Sequence, residues 1–184
     1  GNGVIAISMN RLYEFTYKLE NGALYTDFID PHDIYDKVIV IDAGHGSRMS
    51  GATKNGIQEK DINLDIVLQL KALFDAYDGN IGVYYTRTDD SNPTLQQRAE
   101  LANKAGADLF ISVHNNSSGT GNFTSVNGTQ VLYSESDDRE LGSKKLAQIC
   151  LDNVTAATGS NDFGLLKADD IYIVRSSEAP VALI

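Results

Sequence analysis

Residues 107–113 read Ala-Asp-Leu-Phe-Ile-Ser-Val, a short run that is apolar on both of its faces. A strand of this kind cannot lie at a solvated edge. It belongs near the middle of a sheet whose two faces are covered by helices. An earlier run, Lys37-Val-Ile-Val-Ile-Asp42, has a similar character, and helical patterns alternate with the strands from there onward. Alternation of this type predicts an α/β fold of three layers. The expected sheet is mostly parallel or mixed, has about six strands, and carries helices on both faces.

The pattern from Lys37 predicts a Gly-rich loop at 44–56, a helix over about 60–76 and a strand over 82–87. Thr94-Leu-Gln-Gln97 has capping-box spacing and opens a helix that Gly106 stops. Beyond the central strand, 115–128 is rich in Asn, Ser, Gly and Thr and is expected to be a mobile loop. A strand at 129–133, a helix near 138–157 and strands at 171–174 and 181–184 complete the pattern. Residues 1–36 differ from this domain and read as an N-terminal extension. Val4 to Ile7 has strand-like residues. Tyr13, Phe15, Tyr17 and Leu19 alternate with polar residues before Asn21-Gly22, which predicts a β-hairpin. Pro31-His32-Asp33 reads as a loop. The two units expected are therefore 1–36 and 37–184.

The 184 residues carry a formal net charge of −10 and no basic run, so neither nucleic acid nor an anionic membrane is an expected partner. No apolar stretch approaches the ~20 residues of a membrane span. Gly1 to Ser8 has neither a charged leader nor a cleavage pattern, so no export signal is read there. The single Cys150 has no intrachain partner and reads as a small core residue.

The chemistry lies at the strand ends. Ala43-Gly-His45-Gly46 follows the first strand, and His114-Asn-Asn116 follows the central one. Active sites of open α/β sheets lie beyond the carboxyl ends of strands. Between the two histidines, Glu59 opens a helix. Two imidazoles and a carboxylate at the ends of rigid elements can make a three-ligand zinc site with an open fourth position, which would polarise water for hydrolysis, although histidines in loops are also commonly just solvated. By position alone, Glu59 reads more readily as an N-terminal helix acid that complements the helix dipole. Asp42 stands where it can orient His45 or bond loop amides. His32 has no comparable setting. A dinucleotide fingerprint fails because Met49 occupies the third glycine position, and the same residue breaks Gly-x-Ser-x-Gly at Ser47. The His-x-x-Glu of zinc carboxypeptidases is absent, since Arg48 stands three residues after His45.

Several stretches together resemble the zinc-dependent N-acetylmuramoyl-L-alanine amidases, bacterial enzymes that cut peptidoglycan. They are Val40 to Gly46, Gly51-Ala52, Glu59 to Leu64, Thr86-Arg87, Leu95 to Arg98, Ala102-Asn103, Ala107 to His114 with Asn116, and Pro180 to Ile184. The resemblance implies Zn2+ held by His45, Glu59 and His114. It makes Asp42, Arg87 and Asn116 candidates for supporting or substrate contacts. It also implies hydrolysis of the amide between N-acetylmuramic acid and L-alanine, a peptidoglycan or muropeptide substrate, and a place outside the bacterial cell or at its wall. A non-catalytic, zinc-containing wall-binding or regulatory module is the alternative.

Met49, Ser50 and Asn115 depart from the family pattern, and Asn115 adds an amide near the expected metal. In the family, a glutamate general base and a closing helix follow the strand matching 181–184. This chain ends at Ile184. The resemblance therefore implies impaired turnover by the 184-residue chain, and a bare apolar strip along Val181 to Ile184.

Overall fold

The computed structural model describes residues 4–117 and 125–184. Its first elements are β1 (Glu14–Glu20) and β2 (Ala23–Ile29), an antiparallel hairpin turning on Asn21 and Gly22. Both turn residues have positive φ, 51° and 77°, as a two-residue type I′ turn requires. Phe15 pairs with Phe28 and Leu19 with Leu24, so one face of the ribbon is apolar and largely exposed. The hairpin forms its own two-stranded sheet. It is tied to the body at its base, where Leu12 N donates to Lys104 O (2.8 Å) and Tyr84 Oη donates to Glu14 (2.5 Å). Val4 to Ile7 forms no strand. Residues 31–34 form a one-turn helix, α1 (Pro31–Ile34), rather than a loop. Asp30 caps it by accepting from His32 N, and Pro31 supplies a preset φ at its first position.

The body follows in the order β3 (Lys37–Ala43), β4 (Thr53–Lys54), β5 (Ile57–Gln58), α2 (Glu59–Asp75), β6 (Ile81–Tyr85), α3 (Leu95–Lys104), β7 (Leu109–Val113), β8 (Gly128–Tyr133), α4 (Ser143–Thr158), β9 (Asn161–Lys167), α5 (Tyr172–Ser176) and β10 (Val181–Leu183). Six strands make one sheet in the order β6-β3-β7-β10-β8-β9. All neighbours run parallel except β10 and β8. The doubly apolar β7 is internal, between β3 and β10, as its composition demands.

Alternation along the strands sorts the core into two layers. Val38, Val40, Phe110 and Val181 face α3 and α5, packing with Ala102, Ala105, Ile173 and Val174. Ile41 and Val113 face α2 through Val67, while Val131 and Ala182 face α4 through Leu146 and Leu151. Each fully buried Val, Leu, Ile or Phe side chain among them contributes roughly 1.5–3 kcal/mol of transfer free energy. Cys150 lies half-buried beside the α4 layer, and burial pushes its thiol up to about 11.

Other differences from the sequence reading have local causes. Ile171 to Val174 belongs mainly to a helix, because Val174 N and Arg175 N both donate to Ile171 O. A four-residue apolar run carries too little periodicity to separate strand from helix. β9 escaped notice because Gly164, at φ 78°, interrupts its pattern. The strip along Val181 to Ile184 is not bare: β10 lies between β7 and β8, and Val181 and Ala182 are buried. Half of the expected mobile segment 115–128, residues 118–124, lies outside the described residues, and Gly128 already belongs to β8.

α4 begins at Ser143 rather than near 138, since residues 137–142 form its capping turn. Asp137 accepts from Ser143 N (2.7 Å), Ser143 Oγ (2.8 Å) and both ends of the Arg139 guanidinium. Ser143 Oγ in turn accepts from Val181 N (2.9 Å), which locks the helix to β10. Burial pushes the Asp137 pKa upward. The bonds from Arg139 and Ser143 outweigh it and hold the carboxyl at about 2, against 3.8 for a free aspartate. A depressed folded pKa means the stabilisation is complete above 3.8 and is lost as pH falls toward about 2. The difference corresponds to about 2 kcal/mol. Asp137→Asn should therefore lower unfolding stability at neutral pH by that order and flatten its decline on acidification. Urea denaturation of both proteins across this pH window checks the expectation.

Candidate metal centre

Three segments converge at the carboxyl end of the sheet. β3 and β7 pair with Ala43 opposite Val113, and Gly44 N donates to Val113 O (3.0 Å). His45 and His114 therefore leave neighbouring strands side by side, their ring centroids 4.8 Å apart and nearly perpendicular. The short β4–β5 ribbon folds the intervening loop back, so that Glu59, first residue of α2, lies against both rings. Glu59 Oε1 is 3.1 Å from His45 Nε2 and 2.9 Å from His114 Nδ1. One donor atom from each of the three residues lies within 4.8 Å of the others.

This donor set suits a divalent transition metal. Tetrahedral zinc with N and O ligands spaces its donors by about 3.3 Å, a value between the 2.9 and 3.1 Å contacts at Glu59 and the 4.8 Å within which all three donors lie. Protonation states also fit. Burial lowers the His45 pKa, with the Glu59 charge opposing it. Burial pushes the Glu59 pKa upward, but bonds from His114 and from the Ala52 and Asn115 amides outweigh it and hold it at about 2. A neutral imidazole and an ionised carboxylate are the forms that bind metal. The carboxylate is fixed from behind: Ala52 N donates to Oε2 (2.8 Å) and Asn115 N to Oε1 (3.0 Å). Both imidazoles remain partly exposed, at 28% and 24% of their side-chain surface.

Two glycines make the room. A Cβ on Gly44 would lie 2.3 Å from the His114 ring, and one on Gly51, whose φ is 65°, would lie 2.4 Å from Glu59 Oε2. Only glycine lets the backbone approach the site this closely.

The other candidate residues occupy different positions. Asp42 is fully buried and its oxygens face away from His45. They accept from Arg98 Nη1 (2.5 Å), Thr86 Oγ1 (2.5 Å) and Ser112 Oγ (2.6 Å). Arg87 is buried and donates to the carbonyls of Ala43, Gly44, Lys60 and Asp89. Asn116 is exposed, and its side chain accepts from Ser117 N. Asn115 Nδ2 donates to Asn63 Oδ1, and Asn63 Nδ2 to Gly44 O, a relay that braces the loop before His45. His32 Nε2 bonds Gly106 O (2.8 Å), at the end of α3.

The sequence reading missed Arg98 as part of this neighbourhood. The signal was present: Arg98, Ala102 and Ala105 share one helix face, and a guanidinium in register with buried alanines needs buried partners. Gly44→Ala should displace the His114 ring and weaken binding of a divalent metal at the cluster about ten-fold or more. A chelator-competition titration of the variant against the original protein checks this.

The chain is similar throughout this region to known proteins. A family profile described as N-acetylmuramoyl-L-alanine amidase matches residues 39–184. The N-acetylmuramoyl-L-alanine amidase LytC of Bacillus subtilis (strain 168) is 34% identical over 151 residues, which cover 82% of this chain and 29% of LytC. The endolysin of Bacillus phage SPP1 is 36% identical over 149 residues, 80% of this chain and 53% of the endolysin. The chain thus spans about a third to a half of the length of these relatives. Among solved structures, the catalytic domain of CwlV, an N-acetylmuramoyl-L-alanine amidase from Bacillus (Paenibacillus) polymyxa var. colistinus, superposes with a TM-score of 0.71 at 34% identity, covering 80% of this chain and 78% of that one. The profile match spans the sheet and the whole His45–Glu59–His114 cluster, and the chain belongs to the N-acetylmuramoyl-L-alanine amidase family.

Proposed function

We propose that this chain is the catalytic unit of a zinc-dependent peptidoglycan amidase, with His45, Glu59 and His114 as the zinc ligands. The observation that carries the reading is the convergence of those three donors, 2.9 and 3.1 Å apart at Glu59, in a chain of this family. Its substrate is the amide between N-acetylmuramic acid and L-alanine, in peptidoglycan or a muropeptide, and its place is the bacterial cell wall. The amidase unit spans residues 37–184, with 1–36 as an extension; the profile match beginning at residue 39 supports that division. Among the described residues, no helix is long and apolar enough to cross a membrane.

A zinc ion bound there would supply Lewis acidity toward the scissile carbonyl and lower the pKa of an attacking water. The chain's own residues do the rest. His45, Glu59 and His114 would hold the metal, and both imidazoles are partly exposed. The bonds from Ala52 N and Asn115 N keep Glu59 ionised and fixed, so it does not serve as the proton carrier. The bond of His114 N to Ile184 O (2.8 Å) brings the end of β10 beside the second histidine, where a general base would lie next to the metal. A general acid–base group at that point is worth typically ~100- to 10,000-fold in rate.

Two measurements test the reading. The purified protein should bind one zinc per chain, and His114→Ala should lose most of it; stoichiometric zinc in the variant by elemental analysis refutes the ligand assignment. With zinc bound, the protein should release L-alanine-headed stem peptide from purified muropeptide, and His114→Ala should abolish that release. Muropeptide binding without cleavage by the zinc-loaded protein supports the non-catalytic alternative.

A further inference from the structure

We propose that Arg98 and Arg87 are positioning residues that hold the His45 turn and fix its distance from Glu59, so that they set the affinity and geometry of metal binding. The inference rests on the reading of His45 and Glu59 as ligands. His45 has φ 62°, in the left-handed region that residues other than glycine seldom adopt. A turn of that kind persists only where its surroundings over-determine it. Here three consecutive carbonyls are held by guanidinium donors. Arg98 Nη1 donates to Ala43 O (2.7 Å) and Arg98 Nη2 to His45 O (2.8 Å). Arg87 Nε donates to Ala43 O (2.8 Å) and Arg87 Nη2 to Gly44 O (3.0 Å). The carbonyls of Gly44 and His45 fix the peptide planes on either side of the His45 Cα, and with them the direction of its side chain.

The same Arg87 nitrogen also donates to Lys60 O (2.8 Å), in the first turn of α2. One atom thus bridges the residue before His45 and the residue after Glu59. Arg98 is anchored independently, through Asp42 Oδ1 (2.5 Å) and Pro93 O (3.0 Å). Both side chains are 3% exposed. The arrangement needs arginine rather than a positive charge alone. A guanidinium spans two or three acceptors in a fixed plane, and an ammonium does not. Neither arginine touches the ligand atoms, so their influence passes through the backbone they hold.

The test compares zinc affinity, the absorption spectrum of the Co2+-substituted protein and the urea midpoint of the metal-free protein for Arg98→Lys, Arg87→Lys and Leu151→Ala. Leu151 is a fully buried residue in the α4 layer, remote from the turn, and its truncation lowers stability through packing alone. Each lysine variant should bind zinc about 10- to 100-fold more weakly and shift the Co2+ bands. Leu151→Ala should keep the original affinity and spectrum despite a lower midpoint. Unchanged affinity in both lysine variants overturns the proposal, as does an equal loss in Leu151→Ala. If only one lysine variant folds, its affinity decides. Unfolding of both assigns the arginines a structural role and overturns the proposal too. Absence of zinc from the unmodified protein instead defeats the ligand assignment beneath it.

Discussion

The parallel register of β3 and β7 is the constraint on which the site depends. With Ala43 opposite Val113, the strands end together and their following residues emerge at one level. Side chains alternate with a period of two, so a slip by one residue would turn Ile41 and Val113 from the α2 layer toward α3. It would also carry Asp42 and Ser112 into the opposite core layer. Burial on both faces therefore specifies the register strongly, and the two histidines inherit their proximity from hydrophobic packing that involves neither of them.

A second dependence is electrostatic. The carboxyl end of β3 carries a buried aspartate and two buried arginines within one bonded network. Burying charge is costly unless each group is paired and hydrogen-bonded. Asp42 accepts from Arg98, Thr86 and Ser112, and the arginines spend most of their donors on loop carbonyls. Burial and the neighbouring Arg98 charge lower the Arg87 pKa, and Asp42 opposes both. Removing one partner from a pair of this type costs about 3–5 kcal/mol, because the other charge is stranded. Those free energies hold a turn at the candidate metal centre. Polar residues on the inner end of α2 continue the pattern: Glu59 and Asn63 share a face with Val67, so one helix stripe changes from site to core along its length.

The three ligand candidates were legible because each directly follows or opens a strongly patterned element. Strand ends and helix starts can be read from local composition, and the chemistry of His and Glu narrows what they do there. The supporting residues were less legible. Asp42 invites pairing with His45, three residues away, yet its strand geometry points it toward α3 and Arg98. Arg98 reads as an ordinary helix arginine until the face it shares with Ala102 and Ala105 is considered. Asn115 stood out as a departure from the family pattern, but its bonds to Glu59 and Asn63 depend on α2 lying beside the end of β7.

By itself the sequence determined the layered α/β class, the internal place of β7, the Asn-Gly hairpin, the capped start of α3 and the three ligand-type residues. These follow from periodicity, turn chemistry and side-chain type, all of which act over a few residues. Only the tertiary structure decided that Ile171 to Val174 joins a helix, that β9 extends the sheet beyond β8, and that two guanidiniums hold the turn carrying His45. Each of those outcomes depends on partners distant in the chain. Short apolar runs and single buried charges take their conformation from whichever neighbours can satisfy them, and local sequence does not name those neighbours.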